Sequence, residues 1–129
     1  MSGVAVAEQG GRSGRLGPLE AEVMAVLWHA GRPVPVREVA EAVNAGRGSP
    51  LAYTTILTVM TRLARKKILA RTHTGREYLY TPVAADTADI AVRGVLDEYG
   101  DSALARFVDQ VQLDPKLRAR LRRLMEEQR

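Results

Sequence analysis

The sequence predicts a mainly α-helical fold with a small β wing, in which an N-terminal winged helix-turn-helix precedes a C-terminal three-helix dimerisation region. Two patterns lead to this fold class. Residues 16–83 show a helical period, a short extended piece, two more helical periods and a β-hairpin, in that order. Residues 84–129 then carry three amphipathic helical patterns. Residues 1–15 are glycine-rich and aperiodic, and we expect a flexible tail there.

The first helix is predicted over LGPLEAEVMAVLWHAG, because Pro18 suits a first helical position and Gly31 suits a stop. Its apolar residues recur at helical spacing, at Leu19, Val23, Val26 and Leu27. The next segment, PVPV, can form only a short extended piece, since proline cannot donate to a strand ladder. VREVAEAVNAG then repeats the helical spacing and ends near Gly46.

The third helix, YTTILTVMTRLARKK over residues 53–67, is rich in threonine, which is a poorer helix former than alanine or lysine. On a helical wheel one narrow sector holds Ile56, Val59, Met60 and Leu63, which predicts the face that packs in the core. Thr54, Thr58 and Thr61 cluster on the opposite side together with Arg65. The threonines are therefore sorted onto one outward face.

A β-hairpin is predicted over ILARTHTGREYLYTPV, with a turn at Thr74-Gly75 and an end at Pro82. Three helical segments follow, DTADIAVRGVLDEYG, DSALARFVDQVQL and DPKLRARLRRLMEEQ, the last with Asp114 as N-cap and Pro115 behind it. Short amphipathic helices cannot bury their stripes alone, so these should pack on the winged part or on a second copy. The predicted dimer contacts are the apolar residues of these stripes: Ile90, Val95, Leu96, Leu104, Phe107, Val108, Val111, Leu117, Leu121 and Leu124.

Positive charge is concentrated in the predicted winged part. Residues 1–83 hold 11 Lys and Arg against six Asp and Glu, whereas residues 84–129 hold eight against nine. Between Ala42 and Arg76 there are seven basic residues and no acid. This asymmetry favours a polyanion as partner, although a solvated basic face would give the same pattern.

Composition also excludes several classes of protein. The absence of cysteine removes disulfides, thiolate metal sites and cysteine nucleophiles, and no other metal, cofactor or catalytic pattern is present, so we expect no enzyme. No apolar run approaches the roughly 20 residues that span a bilayer, and we expect no membrane insertion. The N-terminal stretch lacks a signal pattern, which predicts a cytoplasmic protein.

The sorted threonines fit a recognition helix in a DNA major groove. Thr54, Thr55 and Thr58 lie on its first turns, where short side chains with a hydroxyl and a methyl can reach base edges, and Leu57 suits a thymine methyl. Basic and polar residues further along the helix and at the hairpin are predicted to contact the DNA backbone: Thr61, Arg62, Arg65, Lys66, Lys67, His73 and Arg76. Taken singly, a threonine face can be a plain polar surface, and a lysine at a helix end can be a dipole partner.

The runs AYTTILTVMTRLARKKILARTHTGREYLYTPV and LGPLEAEVMAVLW resemble the BlaI/MecI penicillinase-repressor family of bacterial transcription factors. The resemblance extends over residues 16–126. It implies a homodimer that binds double-stranded operator DNA with inverted TACA/TGTA-type half-sites and represses β-lactamase or cell-wall-stress genes. It also implies that Thr54, Thr55, Leu57 and Thr58 read the bases.

In inducible members of that family a membrane sensor protease triggers a cut in the middle dimerisation helix, just before a phenylalanine. The resemblance places this bond between Arg106 and Phe107, where the staphylococcal-type repressors are expected to have asparagine before the phenylalanine. A second departure is Lys67, where the family often has a glycine; a positive φ at this position would strain a lysine. The alternative interpretation is a ligand-gated winged-helix regulator whose C-terminal helices line an effector pocket.

Overall fold

The computed structural model describes residues 14–128, so most of the predicted tail of residues 1–15 lies outside the described residues. Helix α1 is Pro18–Ala30, strand β1 Val34–Pro35, helix α2 Val36–Asn44 and helix α3 Tyr53–Arg65. Strands β2 and β3 are Leu69–Thr74 and Glu77–Pro82. Helices α4, α5 and α6 are Thr87–Tyr99, Asp101–Leu113 and Pro115–Glu127. The predicted mainly α-helical fold with a small wing is confirmed.

Helix α1 begins and ends as its sequence indicates. Pro18 is its first residue, and Gly31 ends it in the left-handed conformation with φ of 65°. A carboxylate oxygen of Glu20 accepts the Gly17 N–H at 2.9 Å, which satisfies one of the free amides of the first turn. The buried residues are Glu20, Val23, Met24 and Leu27, so the helix buries one charged group that its apolar stripe did not predict.

The three strands form one antiparallel sheet in the order β1-β3-β2. Val34 pairs with Tyr80, and Arg71 pairs with Tyr80 from the other side. The hairpin turn consists of Gly75 and Arg76, one residue later than predicted, because the ladder continues to the pair of Thr74 and Glu77. Gly75 has φ of 60°, which suits the first position of a two-residue hairpin loop where a side chain would be strained.

Helix α3 packs with the predicted face, since Ile56, Val59, Met60 and Leu63 are all buried. Its end is a Schellman motif. The Lys67 N–H donates to Ala64 O and the Ile68 N–H donates to Leu63 O, both at 3.0 Å. Lys67 takes the position where this motif favours glycine and has φ of 66°, which is the condition under which the sequence analysis expects strain at this lysine.

The chain divides into two compact units between Gly94 and Val95, inside helix α4. One hydrophobic core in the first unit collects side chains from α1, α2, α3, the sheet and the start of α4. Ala84 and Ile90 belong to this core, and the Trp28 indole donates to Ala84 O at 3.0 Å. Residues 84–94, which the sequence analysis assigned to the dimerisation region, therefore lie with the winged unit, and Ile90 packs in its core.

The first turn of α4 is closed by two carboxylates. An Asp86 oxygen accepts the Asp89 N–H at 2.8 Å, and Asp89 accepts the Ala85 N–H at 2.7 Å. Hydrogen bonds from Arg93, and next from the Ala85 amide, hold the pKa of Asp89 below its usual value. Helix α4 is thus fixed at the end that belongs to the winged unit.

The second unit contains the end of α4 with α5 and α6. Gly100, with φ of 56°, separates α4 from α5, and Asp114 separates α5 from α6. The Asp114 carboxylate accepts the Lys116 and Leu117 N–H groups at 3.0 and 3.1 Å, which confirms it as the N-cap ahead of Pro115. In the described part of the chain no helix is long and apolar enough to cross a membrane.

Candidate nucleic-acid interface

The candidate interface is the outward face of α3, and the loop before this helix is fixed by one side chain. Asn44, the last residue of α2, accepts the Leu51 N–H at 2.8 Å through its oxygen and donates its amide to Leu51 O at 3.0 Å. This pair of bonds connects the end of α2 to the residue that lies two positions before Tyr53. The start of α3 is therefore held at a set distance from α2.

The four predicted base-reading side chains all project from the first turns of α3. Thr54, Thr55 and Thr58 are exposed, and Leu57 is exposed as an apolar residue among them. Tyr53, at the first position of the helix, is 52% exposed on the same turns and was not among the predicted residues. Its aromatic ring at a surface position was the signal that could have found it.

The segment between Ala42 and Arg76 has no acid of its own, but two of its basic residues form ion pairs with carboxylates of α1. Arg47 pairs with both oxygens of Glu22 at 2.8 Å, and the Lys66 ammonium lies 3.4 Å from Glu20. The second pair is largely dry, with side-chain exposures of 17% and 6%. Lys66, which was predicted as a phosphate contact, has an intramolecular partner and links the end of α3 to the first turn of α1.

The other predicted cations of α3 remain at the surface. Arg62, Arg65 and Lys67 are exposed, and no ion pair within residues 14–128 uses any of them. Thr61 is half-buried beside them. Exposed positive charge that pairs with no carboxylate of the described residues favours a bound polyanion.

The wing carries a small aromatic cluster behind its tip. His73 and Arg76 are exposed as predicted for wing residues. The His73 ring meets the Tyr78 ring edge-on at 4.9 Å, and the Arg71 guanidinium lies 4.3 Å from the centroid of the same ring. Arg71 and Tyr78 were missed by the sequence analysis, although an Arg and a Tyr that alternate along paired strands are a recognisable signal.

The predicted dimer residues fall into two groups. Ile90 and Val111 are buried, and Leu117 and Leu121 are half-buried. The others remain exposed in the single chain: Val95, Leu96, Leu104, Phe107, Val108 and Leu124. Leu104, Phe107 and Val108 share one face of α5, so this face is an apolar surface in contact with water.

The predicted cleavage bond, between Arg106 and Phe107, lies in the middle of α5. Arg106 is exposed and pairs with Asp109 at 3.1 Å, while Phe107 is 49% exposed. The backbone on both sides of this bond is helical, so a protease could reach it only after local opening of the helix. Within residues 14–128 no group of three or more His, Asp and Glu could hold a metal ion.

Residues 16–127 match the family model described as penicillinase repressor. The chain belongs to the penicillinase repressor family. This confirms the resemblance that the sequence motifs indicated. The family and the named relatives are transcriptional regulators, so the expectation that the chain is not an enzyme is confirmed as well.

Two relatives from strains of Mycobacterium tuberculosis are both named transcriptional regulator BlaI. Each is 38% identical over 109 residues, which covers 78% of this chain and 76% of the relative. A solved structure described as the complex structure of hsRosR-S4 has a TM-score of 0.50 and 12% identity, and covers 88% of this chain and 89% of its own. At that identity the likeness concerns the fold alone, and it agrees with the winged helix observed.

Proposed function

We propose that this chain is a dimeric transcriptional repressor that binds a palindromic operator through α3 and the wing. The observation that carries the proposal is the exposed face of Thr54, Thr55, Leu57 and Thr58 at the start of a helix whose opposite face is buried. Membership of the penicillinase repressor family supports it. By this resemblance the half-sites are of the TACA/TGTA type, and the controlled genes are β-lactamase, cell-wall-stress or related genes. The protein acts on DNA in the cytoplasm.

In this proposal the threonines at the start of α3 recognise the base sequence of the operator, and the basic residues further along the helix supply affinity through contacts to phosphates. Thr58→Ala should weaken binding to the operator by about 1–3 kcal/mol, because a contact to a base edge is lost, and should hardly change binding to random DNA. Arg65→Ala is the matched control, since loss of a phosphate contact weakens both DNAs and lowers the slope of log K against log salt by about one. Equal loss on operator and random duplex for Thr58→Ala would contradict the role in base reading.

A two-fold operator requires a two-fold protein, and the exposed apolar face of α5 supports a dimer formed by the second unit. Burial of this face by a second copy removes Leu104, Phe107 and Val108 from water, at about 25 cal/mol for each Å² covered. The two recognition helices of a dimer then bind one operator together, which raises the affinity well above that of a single half-site.

Induction by proteolysis follows from the same arrangement. A cut between Arg106 and Phe107 would detach the C-terminal half of α5 and all of α6, so that the dimer contacts are lost while α3 stays intact. The test is to expose producing cells to a β-lactam and to follow the intact mass of the repressor. We expect a product that ends at Arg106; derepression with the full-length mass retained would exclude proteolysis as the switch.

The alternative, a ligand-gated regulator with an effector site among the C-terminal helices, has less support. A shallow groove in this region is lined by Arg118, Leu121, Arg122, Met125 and Glu126, all from α6. A groove on one side of a single helix does not enclose a small molecule as effector pockets do.

A further inference from the structure

A second groove lies where the end of α3 meets the wing. It measures about 370 Å³ and is lined by Thr61, Ala64, Arg65, Leu69, Ala70 and Arg71. Two of these side chains are guanidinium groups and one is a hydroxyl, so the polar groups that reach the groove are mostly cationic donors. Its two guanidinium groups and its hydroxyl fit an anion with several acceptor oxygens.

Arg71 is held in place by the wing itself. In the hairpin His73 lies directly opposite Tyr78, and Arg71 is the diagonal neighbour of that ring. The Arg71 guanidinium carbon lies 4.3 Å from the ring centroid of Tyr78. Stacking on a ring face orients the guanidinium plane while its N–H edge can still donate, and the His73 ring meets the same tyrosine edge-on at 4.9 Å.

Two acids that could compete for these cations are paired elsewhere. Glu77, the acid nearest to Arg71 in sequence, pairs with Arg37 of α2 at 3.5 Å, and Glu20 of α1 pairs with Lys66, the neighbour of Arg65. Neither Arg65 nor Arg71 forms an ion pair within the part of the chain that the structure describes. The groove therefore has two cations at its border that pair with none of the carboxylates in residues 14–128.

We propose that Arg71, positioned by Tyr78, joins Arg65 and Thr61 to bind one DNA phosphate between the recognition helix and the wing. The proposal rests on the proposed function and adds a backbone site distinct from the wing tip at His73 and Arg76. A phosphate held from both α3 and β2 fixes how far the helix enters the major groove, so it sets the register of Thr54 and Thr58 on the bases. Arg71 touches the DNA, and Tyr78 is a positioning residue.

The first experiment titrates the full-length protein with an operator duplex and with a random duplex at several salt concentrations. Arg71→Ala should weaken binding to both duplexes by about tenfold and lower the slope of log K against log salt by about one. Arg120→Ala, an exposed arginine of α6, removes the same charge outside the groove and should leave the slope unchanged. An unchanged slope for Arg71→Ala, or an equal change for Arg120→Ala, would overturn the phosphate site.

The second experiment tests the positioning role of the ring. Tyr78→Phe keeps the stacking surface and should bind as the parent does, whereas Tyr78→Leu should weaken binding about threefold and add nothing in the Arg71→Ala background. Should Tyr78→Leu lower the melting temperature, Arg71→Lys replaces it as a test, since it retains the charge and the salt slope but loses the planar stack and so should bind more weakly. An affinity loss with Tyr78→Phe as large as with Tyr78→Leu would refute the positioning role.

These results separate the phosphate site from the proposed function. If Thr58→Ala lowers the affinity for the operator but not for the random duplex, while Arg71→Ala keeps the parent's salt slope, the proposed function holds and only the phosphate site is wrong. If the parent protein itself shows no preference for any operator, the proposed repressor function fails, and a salt slope lowered by Arg71→Ala would then describe a non-specific DNA site.

Discussion

The winged unit and the C-terminal helices have comparable amphipathic patterns in sequence, but the apolar side chains of the first are buried and most of those of the second are exposed. In residues 14–94 the stripes of α1, α2 and α3 close around one core. In residues 95–128 Val111 is the one buried apolar side chain among the described residues, while Leu104, Phe107 and Val108 remain about half exposed. The difference teaches that the same periodic signal can indicate an internal core or a surface for another copy of the chain.

The strongest test of this comparison is a charge on the exposed face of α5. Phe107→Asp should dissociate the proposed dimer and lower operator affinity about a hundredfold or more, because both half-sites are no longer bound together. The measurements are sedimentation and operator binding of the same sample. Leu113→Asp is the control, since Leu113 lies on the opposite side of α5 and is 81% exposed. A Phe107→Asp protein that sediments as the parent does would show that this face is not the dimer contact.

A smaller effect is expected from the buried ion pair between Glu20 and Lys66, which tests how much this pair contributes to the stability of the winged unit. Glu20→Gln removes the charged partner of the largely dry Lys66 ammonium, and the free energy of unfolding should fall by about 1–3 kcal/mol, because a mostly buried donor loses its charged acceptor. Glu22→Gln removes the exposed partner of Arg47 and should cost less than about 1 kcal/mol. Urea unfolding of both variants measures the difference, and equal losses would mean that the burial of the first pair is unimportant.

The smallest effect concerns the junction of α3 and the wing. Lys67→Gly should raise the free energy of unfolding by about 0.5–1 kcal/mol, because glycine adopts positive φ without steric cost. Thermal unfolding is the measurement, with Lys67→Asn as the matched control that also tolerates this conformation and should be close to neutral. Reduced stability of Lys67→Gly would show that the side chain of Lys67, rather than its backbone, is what matters there.

Much of the winged unit could be predicted from local sequence. The buried face of α3 is predicted by the spacing of four residues, because helical periodicity alone decides which side chains share a side. These residues are Ile56, Val59, Met60 and Leu63. Gly31 marks the end of α1 for reasons that lie within a few residues of it, and Asp114 does the same for the start of α6 in the second unit. The exposed threonine face follows from the same periodicity, which is why the predicted site residues of α3 lie at the surface.

Only the tertiary structure decided which charges are free and where the units divide. Glu20 and Lys66 are 46 residues apart, and Glu22 and Arg47 are 25 apart, so no local pattern could indicate that two of the seven cations have acidic partners. Ile90 lies on the apolar stripe of α4, which the sequence assigns to dimer contacts, but it packs in the core of the winged unit. The stack of Arg71 on Tyr78 depends on the register of two strands. Periodicity defines the faces of an element, whereas packing between elements decides what each face meets.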